Sequence, residues 1–452
     1  MTRYPVPGRA KTRLSPVLGD DGAARLSGDL SRHCIRRMHA MAASGEIELE
    51  VRYTGANAAR MRQWVARRVR LRRQAEGDLG ERLADAMRTA FAERTPAAIA
   101  VGSDAPDLGG AHIRAALEAL AGSDVVFGPA TDGGYYLVGV NASAADRALP
   151  ALFASGVPWG TADVLEASRA ALGRESLTSA LLEPLSDVDR PEDLEVWERV
   201  VSADEKTRTS PALSVVIPAL NEECLVADAV ESALTAGAFE VIVADGGSRD
   251  ETAQRAAGAG ARVVPAPRGR APQLNAGARQ ATGDVLLFLH ADSRLPTDGL
   301  EHVRRVLQDP AVVLGAFRFE VGDRDRFQDH LITAVGRMRH HIFGLPYGDQ
   351  APFLRRRDFE DLGGFADMPV MEDYEFALRC KRLGRLGAAS ASAPGSSRAW
   401  REHGLVRVTL TYMAMIAGYR LGVPATRLAA WHARLPGKVR VSTHQSSNAP
   451  GR

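Results

Sequence analysis

Asp245, Asp292 and Asp373 are three carboxylates whose neighbours suit them to three different tasks. Asp245 opens the run Asp245-Gly246-Gly247-Ser248-Arg249-Asp250, where paired glycines let the backbone approach a nucleoside that the carboxylate contacts. His290-Ala291-Asp292 offers an oxygen ligand with an imidazole beside it, an arrangement able to hold a divalent cation, Mg2+ or Mn2+, against phosphates. Met371-Glu372-Asp373 follows a Gly363-Gly364-Phe365 turn, and one of its two carboxylates is a candidate general base for a hydroxyl. Between them, Arg268 to Gly277 carries cationic and amide groups, Arg270 and Asn275 among them, that can hold a diphosphate. Taken singly each has a structural explanation: a turn at Asp245, a satisfied core imidazole at His290, a helix N-terminus at Glu372-Asp373. Their order after successive strands favours the chemical reading.

The first half carries a second constellation. Tyr4 to Leu14 contains Gly8, Lys11 and Arg13; it lacks the GxxxxGK[ST] spacing of a Walker loop, yet its amides and cations can hold a nucleotide's phosphates. Asp104, in Gly102-Ser103-Asp104-Ala105-Pro106-Asp107, and Asp189, in Asp187-Val188-Asp189, can converge on one cation although far apart in the chain. As turn or cap residues they have an equally simple structural reading. Asp132 opens Asp132-Gly133-Gly134-Tyr135-Tyr136 ahead of a further strand.

Placing these residues requires strands that end where the loops begin. Leu213-Ser-Val-Val-Ile-Pro218 reads as a buried strand delivering Asn221 and Glu222 to a loop. Short apolar runs at Ile47–Tyr53, Ala97–Val101, Asp124–Phe127 and Tyr135–Val140 alternate with alanine-rich helical stretches. The same grammar returns at Val241–Ala244, Val263–Val264, Val285–Leu289 and Gly315–Val321. Such alternation predicts an α/β architecture, two tandem domains each built on a mostly parallel sheet flanked by helices. The polar, aperiodic 201–212 segment reads as a linker between residues 1–200 and 213–432, and 433–452 as a flexible tail.

Composition sets the outer bounds. With 452 residues, 45% hydrophobic and 25% charged, the chain is neither disordered nor a coiled coil. Fifty-seven basic against 55 acidic residues leave +2, which advertises no nucleic-acid partner. Seven arginines between Arg60 and Arg73 read as a solvated surface segment rather than a phosphate patch. Cys34, Cys224 and Cys380 have no CxxC spacing, which argues against a zinc knuckle or disulfide framework. The start has no apolar stretch and reads as no signal peptide, making the cytoplasm the expected compartment. Leu405 to Leu421 is too short and too interrupted to span a bilayer; it reads as a helix packed on its own domain, with peripheral membrane contact as the alternative. Trp400, Tyr412, Met413, Met415 and Tyr419 are read as core packing, or as the wall of a lipid-like acceptor site.

From Leu213 to about Leu386 these pieces resemble a family 2 glycosyltransferase with the GT-A fold. Gly269 to Gly277, Phe288-Leu-His-Ala-Asp292 and Arg398-Ala-Trp400 more narrowly resemble the radical-SAM/selenodomain-associated transferases of the arsenosugar-biosynthesis type. The resemblance implies an inverting transfer of a sugar from a nucleotide-diphosphate donor to a small-molecule or lipid-like hydroxyl. It implies donor contacts at Pro218, Asn221, Glu222, Asp245, Gly246, Arg270, Asn275 and Ala291, a metal at Asp292 and His290, and catalysis by Asp373 with Glu372. Where the broad family shows Asp-x-Asp, this chain has His290 in the first position. Tyr4 to about Trp197 is similar to the nucleotidyltransferase-like partner group of the same transferases. That likeness implies phosphate or nucleotide contacts at Gly8, Lys11, Arg13 and Asp132 and a metal at Asp104 and Asp189. The group has a hydrophobic first strand where this chain has Met1-Thr2-Arg3, so a missing first strand is expected. Two alternatives are a nucleotidyltransferase with a regulatory second domain, and a non-enzymatic nucleotide-sugar-binding scaffold.

Overall fold

The computed structural model describes residues 1–65, 69–153, 157–209, 211–321, 330, 332–334, 345–396 and 404–433. Arg398-Ala-Trp400, residues 434–452 of the expected tail and part of the arginine-rich 60–73 segment lie outside the described residues. The chain divides into two compact units, Met1–Lys206 with Glu360–Gly363, and Thr207–Phe359 with Gly364–Arg452.

In the first unit, strands β1 (Thr2–Arg3), β2 (Glu50–Thr54) and β3 (Arg70–Arg73) form a parallel sheet in the order β1-β2-β3. A second sheet runs β4-β6-β5-β7, from β4 (Ala97–Val101), β5 (Val125–Pro129), β6 (Tyr135–Asn141) and β7 (Ser179–Leu181). Here β6 is antiparallel to both neighbours, while β5 and β7 are parallel. The expectation of a missing first strand is corrected: Thr2 and Arg3 pair with Tyr53 and Thr54. The Met1 amine donates to Val101 O at 2.8 Å, so the chain start touches both sheets.

The second unit is built on one seven-stranded sheet of order β10-β9-β8-β11-β13-β12-β14. Its strands are β8 (Leu213–Ala219), β9 (Glu240–Asp245), β10 (Arg262–Pro265), β11 (Val285–Phe288), β12 (Val312–Val321), β13 (Phe353–Arg355) and β14 (Arg385–Gly395). The first four in chain order are mutually parallel, and β13 alone runs against its neighbours β11 and β12. Both sheet faces are covered, which is why these strands read as continuous apolar runs rather than alternating ones. Leu213, Val215, Ile217, Val241 and Val243 pack with Val226 and Val230 of the helix Val226–Thr235 and Val303 and Leu307 of the helix Gly299–Leu307. On the other face Gly277, in the helix Arg270–Gln280, rides against β8; a Cβ there would lie 2.4 Å from Val216 Cγ1. Chain order leaves β8, moves out to β9 and β10, then returns to β11 on the other side, creating a crevice beyond the carboxyl ends of β8 and β11.

The 201–212 segment is helical as far as Thr209, at the end of the helix Leu194–Thr209. Its Glu, Lys, Arg and Ala content favours helix without an apolar stripe, and Pro211 follows. Cys34 and Cys380 are buried and Cys224 is exposed. Burial pushes the Cys34 thiol up to about 11 and that of Cys380 up further.

Candidate active site

At the carboxyl ends of β8 and β9 the two strand-end loops are knitted together. Pro218 lies past the last β8–β11 pair, Val216 with Phe288, so its missing N–H interrupts no ladder on that side. Asn221 adopts the left-handed conformation at φ 55°, a backbone state that asparagine tolerates well. Its side-chain oxygen accepts from Arg249 N at 2.9 Å, and its own N–H donates to Ser248 Oγ at 2.9 Å. Ser248 in turn donates its N–H and hydroxyl to the Asp245 carboxylate. Glu222 N donates to Thr252 Oγ1 at 2.8 Å. Beneath both loops Gln273 is buried, and its Nε2 donates to Ala219 O at 2.7 Å and Ala244 O at 2.9 Å. Gly246 passes directly over this amide, where a Cβ would meet Gln273 at 3.0 Å.

After β11 the chain turns at His290, whose carbonyl accepts Ser293 N at 3.0 Å; Ala291 is buried and Asp292 half-buried. The second catalytic candidate arrives from elsewhere. Asp373, in the first turn of the helix Glu372–Leu383, receives Tyr374 N on Oδ1 at 2.7 Å and Gly348 N on Oδ2 at 2.8 Å. Gly348 has no side chain to give: a Cβ on it would lie 3.0 Å from His290 Nε2 and 3.1 Å from Asp373 Oδ2. One glycine therefore lets the β11 loop and the Asp373 helix close on each other. Two left-handed non-glycine residues flank these pieces, Ala351 at φ 44° and Met371 at φ 70°, a backbone state costing about 1–3 kcal/mol where held.

Glu372 is buried, and its Oε1 accepts from Arg270 NH1 at 3.1 Å. Burial pushes the Glu372 carboxyl up, the Arg270 guanidinium pulls it back, and Asp373 adds to the rise. Burial and Arg270 hold the His290 imidazole below its ordinary value, against the pull of Asp292, Asp349 and Asp373. A neutral imidazole keeps a lone pair for a cation, and Asp292 adds a carboxylate. Among the described residues no group of three or more His, Cys, Asp or Glu could enclose a metal. This donor set fits a divalent ion that takes its remaining oxygens from a diphosphate.

Asp349 and Gln350 were not singled out in the sequence. Gln350 bonds Tyr347 N and Phe317 O and fixes the turn that carries Gly348 and Asp349. The available signal was a polar Gly-Asp-Gln island between buried Leu345-Pro346-Tyr347 and Ala351-Pro352-Phe353. Asn275 has a structural partner that the sequence does not announce. Its Nδ2 donates to Phe365 O at 2.8 Å and its Oδ1 accepts Phe365 N at 2.9 Å, so the amide clasps the Gly363-Gly364-Phe365 turn.

In the first unit, Lys11 stands at φ 49° and its ammonium lies 2.6 Å from Asp189 Oδ1 and 3.1 Å from Asp104 Oδ2. Only 6% of its side chain is exposed. Arg13 NH1 approaches Asp189 Oδ2 at 3.6 Å, and Val188 N donates to Asp104 O at 3.0 Å. The two carboxylates do converge, but on an ammonium, so in this arrangement they do not fit a metal. Asp132 Oδ1 accepts Gly134 N at 2.9 Å as a turn residue, and Gly8 supplies a positive φ of 70°. Burial, Asp132 and Asp189 push Asp187 up to about 6.

Parallel strands whose carboxyl ends gather loops, a carboxylate after β9 and another after β11 define an α/β transferase of the nucleotide-diphospho-sugar type. Residues 214–363 match the model of glycosyl transferase family 2, and the chain belongs to that family. Residues 37–161 match a family described as an uncharacterized protein conserved in bacteria (DUF2064). A PGL/p-HBAD biosynthesis glycosyltransferase of Mycobacterium bovis (strain BCG / Pasteur 1173P2) is 30% identical over 193 residues, 38% of this chain and 70% of that protein. The cellulose synthase 1 catalytic subunit [UDP-forming] of Komagataeibacter xylinus is 30% identical over 164 residues, 32% of this chain; the match spans only 22% of that relative's length. A crystal structure of glucosyl-3-phosphoglycerate synthase from Mycobacterium tuberculosis with Mn2+, UDP and glucosyl-3-phosphoglycerate is 23% identical with a TM-score of 0.36, over 49% of this chain and 84% of that one.

Proposed function

We propose that the second unit transfers a sugar from a nucleoside-diphosphate donor to a hydroxyl acceptor with inversion, assisted by a divalent cation. The observation that carries this is the meeting of Asp373 and His290 across Gly348, with Asp292 two residues beyond His290. In this reading Asp245 contacts the nucleoside, and Pro218, Asn221, Glu222, Gly246 and Ala291 shape the donor crevice. Arg270 offers positive charge to the diphosphate. Asp292 and His290 hold the cation, which neutralises charge building on the departing diphosphate. Asp373 takes the acceptor proton as the acceptor oxygen bonds to the anomeric carbon and the bond to the diphosphate breaks on the opposite face. Glu372 orients Arg270, and Asn275 positions the Gly363–Phe365 turn rather than touching phosphate. The narrower kinship with radical-SAM/selenodomain-associated transferases belongs to the same reading. The first unit is a nucleotide-binding, transferase-like module in which the exposed Arg13 meets phosphates and Lys11 ties Asp104 to Asp189 beside it.

Release of nucleoside diphosphate from a panel of nucleotide sugars tests the proposal. Asp373→Asn is expected to lower kcat by roughly 10²–10⁴-fold while donor binding persists. Asp292→Ala should remove the dependence on Mg2+ or Mn2+ together with most activity. Full activity in both variants would overturn the assignment.

A further inference from the structure

Five of the large apolar side chains exposed among the described residues fall in one short stretch, Val406 (70% exposed), Leu410 (63%), Met413, Leu421 (84%) and Trp431. Four of them belong to the helix Leu405–Arg420 and its C-cap. At about 100° per residue, Val406, Leu410, Met413, Ala417 and Leu421 fall in a stripe about 80° wide, with Arg407 on one flank and Arg420 on the other. The opposite side of the helix is apolar too, and there Val408 and Met415 are buried, with Ile416 buried on the flank between. A helix apolar on two opposite faces needs a partner on each.

Charge identifies the second partner. From residue 404 to 433 the chain contains Arg407, Arg420 and Arg427 and no acidic residue. No helix among the described residues is long and apolar enough to cross a membrane. An apolar stripe edged by arginines, with a partly exposed tryptophan on the following helix Ala425–Ala433, offers an anionic bilayer apolar area and positive charge together. The same helix also reaches the candidate active site. Arg420 Nε donates to Tyr374 OH at 2.7 Å, next to Asp373, and Tyr419 packs edge-on against the Tyr374 ring.

We propose that the outer face of the Leu405–Arg420 helix docks the protein on an anionic lipid surface, setting Asp373 close to acceptors presented there. The docking surface stands apart from the sugar-transfer reading, because vesicle binding is measured with no donor or acceptor present. The full-length chain is sedimented with vesicles of phosphatidylcholine alone and with added phosphatidylglycerol, at low and high salt. Binding is expected to the anionic vesicles, to weaken with salt, and to fall by at least about tenfold in a Val406→Glu/Leu410→Glu double variant. Both positions are exposed, so the double variant should keep its melting temperature. Failure of the wild type to sediment, or equal sedimentation of the double variant, overturns the proposal. So does light scattering that finds a wild-type dimer which the double variant dissociates, since a second copy would then cover the face.

Discussion

Asp373 Oδ2 accepts the Gly348 amide at 2.8 Å, and the same glycine leaves its Cβ position open toward His290 Nε2. A methyl group there meets the two candidate side chains, His290 and Asp373, rather than backbone. Gly348→Ala is therefore expected to cost activity and little else. We expect kcat to fall roughly ten- to a hundredfold, with melting unchanged, because small misplacements of reacting groups carry losses of that order. Loss of folding instead of rate would show that the glycine serves the core.

The Gln273 amide bridges Ala219 and Ala244, the strand ends that present the Asn221 and Asp245 loops. Gln273→Leu keeps the volume and removes both donated bonds, at a cost of about 1–3 kcal/mol in urea unfolding. Donor KM should rise more than kcat falls, since the loops rather than the base are released. A variant equal to wild type in both respects would dismiss the clamp.

Glu240 supplies a pH dependence whose sign can be worked out. Burial opposes its charge, yet bonds from Thr282 N, Ser214 Oγ and Thr282 Oγ1 and the nearby Arg262 hold its carboxyl below the ordinary value. Its contribution is present above the unfolded-state value and lost as pH falls through the lower folded one. Glu240→Gln should thus lose about 1–2 kcal/mol at pH 7. Urea midpoints measured down to about pH 3.5 should show the gap between wild type and variant closing.

Lys11 holds Asp104 and Asp189 together. Lys11→Met leaves two carboxylates facing each other and is expected to destabilise by about 1–2 kcal/mol, the pair being partly solvated. Added Mg2+ should then raise the melting temperature of the variant more than that of the wild type. Equal Mg2+ responses would mean that the carboxylates relax apart rather than accept a cation.

The β-branched and leucine-rich runs made the strands of the second unit legible, and with them the loops that carry Asp245 and Asp292. Local sequence reported those positions because each lies within a few residues of its strand. Gly348 escaped notice because it reaches Asp373 through the turn before β13, and a contact across 25 residues leaves no periodic trace. At Asn275 the sequence names the amide but not its protein partner. An amide in an arginine-glycine run suits a phosphate as well as it suits a peptide unit, and only the fold reveals Phe365 opposite it. Residues 201–209 hid their helix because one without an apolar stripe leaves no periodic trace, although the boundary between the two units does fall there, at Lys206/Thr207. At Thr2 and Arg3, two residues proved enough to pair with β2, fewer than a periodicity argument can detect.

Cys224 is the exposed thiol of the three, three residues beyond Asn221, whereas burial leaves Cys34 and Cys380 protonated and shielded. Cys224 is thereby a one-site spectroscopic handle on the loop that follows β8. A fluorophore attached to the unmutated protein would sense the ordering of that loop in real time, turning nucleotide screening into a titration that needs no knowledge of the acceptor.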